Sequence, residues 1–85
     1  MRAAYKKHFN KQFKELPPKI KERFYERLEV LLADPFHPQL NNHSVDKTYP
    51  GCRSINVTGD YRALFQEEAG LFVFVFIGTH AELYG

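Results

Sequence analysis

Apolar residues recur with a helical period over the first third of the chain and with a strand period over the last. Tyr5, Phe9, Phe13 and Leu16 are spaced by four, four and three positions, which predicts an amphipathic helix within Ala4 to Leu16. Lys7, Lys11 and Lys14 line another face of it. The stretch from Arg2 to Tyr5 reads equally as a short strand, and the pattern leaves both readings open. Pro17-Pro18 interrupts the stripe, and Pro18 suits the first turn of a new helix, where a missing N–H costs nothing. A second stripe, Ile20, Phe24, Leu28, Leu31 and Leu32, predicts a helix that ends before Pro35. Two such helices joined by a tight prolyl turn form an antiparallel hairpin, and neither can bury its stripe without a sheet to pack on.

Residues 34–51 read as a loop, punctuated by Pro35, Pro38, Asn41-Asn42 and Pro50-Gly51. Strand character runs from Cys52 to Val57, breaks at Thr58-Gly59-Asp60, resumes from Tyr61 to Gln66 and turns again at 67–70. Leu71 to Ile77 is apolar at every position, the signature of a central strand buried on both faces. The expected fold class is α+β: one domain over 1–85, with a helical hairpin (1–33) on one face of a twisted antiparallel sheet. That sheet would be formed by 52–84 together with the C-terminal motif.

Composition changes this picture little: 85 residues with 44% hydrophobic and 15% aromatic content fit a small globular domain. No apolar run reaches the ~20 residues of a membrane span, and the N-terminus lacks the pattern of a secretory signal. Cys52 stands alone, so no internal disulfide forms, and a cytoplasmic location is the simplest expectation. Charge is more informative. The net value is +2, yet residues 1–33 carry +5 and residues 34–85 carry −3. A basic half can face RNA or an acidic protein, or can simply be a solvated helix surface.

Candidate chemistry concentrates near the C-terminus. Arg53 and Arg62 lie on successive strands joined by a tight turn, so they are candidates to clamp one phosphate, or else to pair with Glu67 or Glu68. Asp60 is a common turn residue, and proximity to Arg62 gives it a second reading as a proton acceptor or an orienter of histidine. His80 sits just past the apolar strand, on the kind of rim where catalytic groups are held, and ordinary histidine titrates near ~6.5. His43 is a loop histidine with the same choice between catalysis and solvation. Tyr84 either stacks on a nucleobase or plugs the core. No paired ligand spacing points to a metal, and Cys52 has no fixed histidine partner in sequence.

The order of two helices, Leu40-x-x-His43, Gly51-x-Arg53, Asp60, Tyr61-Arg62 and Gly78-Thr79-His80-x-x-Leu83-Tyr84 resembles the RelE/ParE toxin superfamily. Within it the chain is most similar to YafQ-like and RelE-like mRNA interferases of type II toxin–antitoxin systems. The resemblance implies a microbial RNase fold with a concave active face and a cognate antitoxin that wraps it. It also implies cleavage of mRNA in the ribosomal A site without a cofactor. By position it implies catalytic roles for His43, Asp60, His80 and Tyr84, and phosphate or RNA binding by Arg53 and Arg62. Asn56 departs from the pattern, standing where YafQ-like members often carry another histidine. The strongly basic sheet face of RelE is also missing, and no helical tail is expected after Tyr84.

The expected reaction is attack of a ribose 2′-OH on the adjacent phosphate. Asp60 or His43 would serve as base and His80 as acid. Lys7, Lys11 and Lys14 would contact ribosomal RNA. The alternatives are a ParE-like, non-enzymatic inhibitor of DNA gyrase and an inactive relative that only binds an antitoxin.

Overall fold

In chain order the elements are β1 (Arg2–Tyr5), α1 (Lys7–Lys14), α2 (Pro18–Ala33), β2 (His43–Ser44), β3 (Arg53–Asn56), β4 (Tyr61–Glu68), β5 (Leu71–Thr79) and α3 (His80–Tyr84). A single 3-10 turn at Pro38–Leu40 lies between α2 and β2. The computed structural model describes every residue from Met1 to Gly85. The strands form one sheet in the order β1-β5-β4-β3-β2, antiparallel throughout except for the parallel β1–β5 pair. The expected α+β architecture is present. The sheet is mixed, however, because of β1.

The ambiguity at Arg2–Tyr5 resolves as strand. These residues pair with Leu71 to Phe74, and Lys6 N–H donates to the Phe74 carbonyl, so the outer edge of β5 is satisfied. Tyr5 keeps its place in the aromatic stripe all the same. Its ring lies 5.4 Å from Phe9 and 5.9 Å from Phe74. Beyond Phe74 the edge is covered by α1, whose Gln12 Oε1 accepts the Ile77 N–H at 3.0 Å. The second helix follows its stripe: Pro18 falls in its first turn, and the Asp34 N–H bonds back to Val30 as the chain approaches Pro35.

Phe24 of α2 joins the hairpin to the sheet. Its ring centroid lies 5.1 Å from Phe74, 5.4 Å from Phe9 and 5.3 Å from Phe13. Leu28, Leu31 and Leu40 extend this core over Ile55, Ala63, Phe65 and Ile77. All of these sheet residues share the helix-covered face. On β5 the register passes from Leu64↔Phe76 to Phe65↔Phe74, leaving Val75 as an extra residue. That bulge lets Phe74 and Ile77 both join the core, while Val75 and Phe76 stay half-buried. The strand expected to be buried on both faces is therefore partly open on one.

Two further elements lie where the sequence pattern predicts none. Within the 34–51 loop, His43 and Ser44 pair with Ser54 and Arg53 as an edge strand. At the C-terminus, Thr79 accepts from Glu82 N–H, and the Glu82 side chain accepts from Thr79 N–H, a reciprocal cap that starts α3.

The β4–β5 turn has two central residues with positive φ, Ala69 at 48° and Gly70 at 79°, the twist that a two-residue hairpin needs. Glycine adopts it freely, whereas alanine is strained there by ~1–2 kcal/mol. Ala69→Asn should raise stability by about 0.5–1 kcal/mol, because asparagine tolerates this conformation better. Urea unfolding monitored by circular dichroism checks the shift.

Candidate active site

Side chains alternate across a strand, so the register decides which residues meet. Asn56 pairs with Arg62 and Ser54 with Leu64, which projects Ser54, Asn56 and Arg62 from the face that the helices leave open. Arg53 pairs with Phe65, one of the core residues, and so belongs to the opposite face. The two arginines are three residues out of phase in this sense and do not converge on one point.

On the open face lies a cleft of about 870 Å³ whose walls include His43, Lys47, Ser54, Arg62, His80 and Tyr84. It brings together four of the residues singled out from sequence: His43, Arg62, His80 and Tyr84. Two others do not line it. Arg53 instead donates from Nε to Asn42 Oδ1 at 2.8 Å, with its guanidinium over the Phe36 ring. Asp60 is exposed in the turn beside the cleft, and its link to the site is through its backbone: its carbonyl accepts the His80 N–H at 2.9 Å. Lys7, Lys11 and Lys14 are exposed on α1, away from these walls. No three His, Cys, Asp or Glu side chains gather closely enough to hold a metal ion.

Each cleft residue is held in a definite way. His43 Nδ1 lies 2.7 Å from the Asn41 carbonyl. A carbonyl only accepts, so Nδ1 carries the hydrogen and Nε2 of the neutral ring is left with its lone pair. Arg62 Nη1 donates to the carbonyls of Thr58, Gly59 and Tyr61 at 2.9, 3.2 and 3.1 Å. That single nitrogen is tied to the turn, while Nε and Nη2 retain donors for an incoming anion. His80 opens α3, and its ring packs on Tyr84 with centroids 4.9 Å apart. Tyr49 closes the arrangement from beneath. Its hydroxyl donates to the Leu83 carbonyl, and its ring contacts both Tyr84 and Phe76.

Tyr84 carries the one shifted group within the cleft. Burial, and next the neighbouring Tyr49, push its phenol above the ordinary tyrosine value. Ser54 and Arg62 temper the rise. The hydroxyl oxygen is buried without a partner in hydrogen-bond geometry, so Ser54 is near without bonding to it. Burial likewise raises the Cys52 thiol, which suits an inert small hydrophobe.

Sequence reasoning missed Lys47, Ser54 and Tyr49 as parts of this region. Strand parity from the Thr58–Asp60 turn would have placed Ser54 with Arg62. The Thr79-x-x-Glu82 spacing would have revealed the cap that aims His80. Nothing in the local pattern marks Lys47 or Tyr49.

Removing the unpartnered Tyr84 hydroxyl should cost nothing to the fold: Tyr84→Phe should unfold within about 1 kcal/mol of the wild type, or be slightly more stable. A phenol raised on folding supports stability below the ordinary tyrosine range and loses that support as pH climbs through its raised value. Tyr5 is raised in the same direction, by burial and then by Tyr25, so the variant should lose only part of the alkaline decline in stability. Thermal unfolding across alkaline pH, with and without the substitution, measures both.

Neither a family model nor a curated protein sequence matches the chain. Solved structures do. Escherichia coli YafQ superposes with a TM-score of 0.81 at 21% identity, covering 98% of this chain and 97% of that one. A chain of the RelB–RelE antitoxin–toxin complex from Methanococcus jannaschii gives 0.74 at 20% identity, over 95% and 94% of the two chains. A YoeB/ParE toxin from Agrobacterium tumefaciens gives 0.76 at 12% identity, over 94% and 99%. The chain thus has the fold of the RelE/ParE toxin superfamily, with YafQ among its structural neighbours.

Proposed function

We propose that this protein is the toxin of a type II toxin–antitoxin pair and a ribosome-dependent mRNA endonuclease. The observation that carries the reading is the convergence of His43, Arg62, His80 and Tyr84 on one open cleft, although they lie up to 41 positions apart in the chain. Protein binding alone gives no reason for that set. The structural likeness to YafQ, and to a complex of E. coli YafQ with its DinJ antitoxin, supports a cognate antitoxin as partner.

The reaction draws its nucleophile from the RNA. His43 Nε2 takes the proton of a ribose 2′-OH, and that oxygen attacks the adjacent phosphorus. The bond from phosphorus to the 5′-oxygen breaks, His80 in its protonated form delivers a proton to that oxygen, and a 2′,3′-cyclic phosphate remains. Arg62 holds the phosphate and stabilises the extra negative charge of the transition state. Lys47, the other cation in the cleft wall, takes the part that sequence had given to Arg53. Tyr84, packed at a tilt by His80 and edge-on by Tyr49, supplies an aromatic surface for a base. His43 is preferred to Asp60 as base, because His43 lines the cleft with one ring nitrogen unengaged, whereas Asp60 does not line it. This chemistry needs neither a metal nor a protein nucleophile.

In a translation extract, primer extension on mRNA should show cuts within translated codons. His80→Ala and Arg62→Ala should each reduce them about a hundred-fold. Asp60→Ala should stay within about ten-fold of wild type, since the contact to His80 comes from the backbone. Absence of cuts by the folded wild-type protein, with loss of gyrase supercoiling, would favour the ParE-like alternative.

Lys7, Lys11 and Lys14, on one exposed face of α1, are proposed to contact ribosomal RNA. Replacing all three with alanine should weaken ribosome binding. It should also flatten the slope of log affinity against log salt by about 2, as three fewer counterions are released. An unchanged slope removes these lysines from the interface.

A further inference from the structure

Arg53 has the largest gap between expected role and observed surroundings. Its side chain reaches Asn42, the residue directly before His43. Nε donates to Asn42 Oδ1 at 2.8 Å, and Nη2 makes a longer contact of 3.4 Å to the Asn42 carbonyl. The guanidinium lies over Phe36, with Cζ 5.4 Å from the ring centroid, a contact that favours a flat cation in a fixed plane. From the other side, Asn42 Nδ2 donates to the Pro35 carbonyl at 2.9 Å. Both polar ends of the Asn42 side chain are therefore engaged.

The peptide plane entering Asn42 carries the Asn41 carbonyl, the acceptor that fixes His43 Nδ1. Asn41 itself has φ 47° and ψ 48°, a left-handed conformation that asparagine tolerates, and it turns its carbonyl toward the His43 ring. Ser44, on the far side of His43, pairs directly with Arg53 in the sheet. The loop bearing His43 is thus tied to β3 both by the strand ladder and by the Arg53 side chain.

We propose that Arg53 and Asn42 are positioning residues: together they clamp the Asn41 carbonyl so that His43 keeps its hydrogen on Nδ1 and its lone pair on Nε2. The catalytic part of this proposal rests on the nuclease reading, with His43 as base. In the opposite tautomer Nε2 is a donor and cannot accept the 2′-OH proton. The clamp therefore acts on the rate of the chemical step and not on substrate affinity. A lysine at 53 would keep the charge but lose the planar fork and the stacking on Phe36.

Nitrogen-resolved NMR of the His43 ring, at alkaline pH where imidazole is neutral, reads the tautomer without any assay of cleavage. Wild type should show the Nδ1–H form. Arg53→Ala, Arg53→Lys and Asn42→Ala should each show a mixture, and kcat for mRNA cleavage should fall roughly ten- to a hundred-fold with KM little changed. Asn42→Asp gives up the bond to the Pro35 carbonyl but retains an acceptor for Arg53, and because the Arg53 contact carries the clamp it should keep the wild-type tautomer. An unchanged Nδ1–H tautomer in Arg53→Ala, Arg53→Lys and Asn42→Ala overturns the clamp. So does an Arg53→Ala variant that keeps the tautomer and raises KM, which is the behaviour of a phosphate ligand. If Arg53→Ala does not fold, the comparison of Asn42→Ala with Asn42→Asp decides alone. A folded wild-type protein that cuts no mRNA removes the nuclease reading, while the NMR comparison still decides whether Arg53 and Asn42 set the His43 tautomer.

Discussion

The packing of Phe24 against Phe74 is the contact on which the rest of the structure depends. It seats the helical hairpin on one face of the sheet, with Phe9 and Phe13 filling the space around it. Burying an aromatic cluster of this size is the main favourable contribution available to a chain of 85 residues. Because that cluster occupies one face alone, α1 and α2 leave the other open, and only the short α3 borders it. The cleft exists because the core is one-sided.

One-sidedness also gives sheet register its consequences. Successive residues on β3 and β4 face alternately the helices and the open side, and a shift of one position exchanges the two sets. Arg62, Ser54 and Asn56 fall on the open side, whereas Arg53, Ile55 and Ala63 fall on the helix side. A guanidinium cannot rest in an apolar core, so Arg53 bends to the rim and finds Asn42 and Phe36. Its proximity to the His43 loop is a result of parity as much as of composition.

The cleft is assembled from parts of different stiffness. Arg62 stands on the central strand β4, with one nitrogen anchored by three carbonyls of its own turn. His80 and Tyr84 ride on a single capped turn of helix, tied back by Tyr49 and by the Asp60 carbonyl. His43 comes from a two-residue edge strand, the least supported of the three, and it has the most elaborate side-chain bracing. Precise geometry at a loop requires such bracing, because the backbone ladder there is short.

Much of this was legible in the residues. The Ile20 to Leu32 stripe and the two prolines set α2 almost to its ends. The Thr58-Gly59-Asp60 break set the β3–β4 hairpin, and the apolar run set β5 as an interior strand. The resemblance in motif order pointed to His43, Arg62, His80 and Tyr84, which do share one cleft. These features are local, or are carried by the order of motifs, and need no knowledge of distant neighbours. The strand at Arg2–Tyr5, the edge strand at His43–Ser44 and the fate of Arg53 are different in kind. Each depends on a partner far away in sequence: Leu71 to Phe74 for the first, Ser54 and Arg53 for the second, Asn42 and the register against Phe65 for the third. Hydrophobic periodicity reports which face of an element is buried. It does not report which edges meet, or in what phase, because pairing energy resides in contacts between segments that only the folded chain brings together.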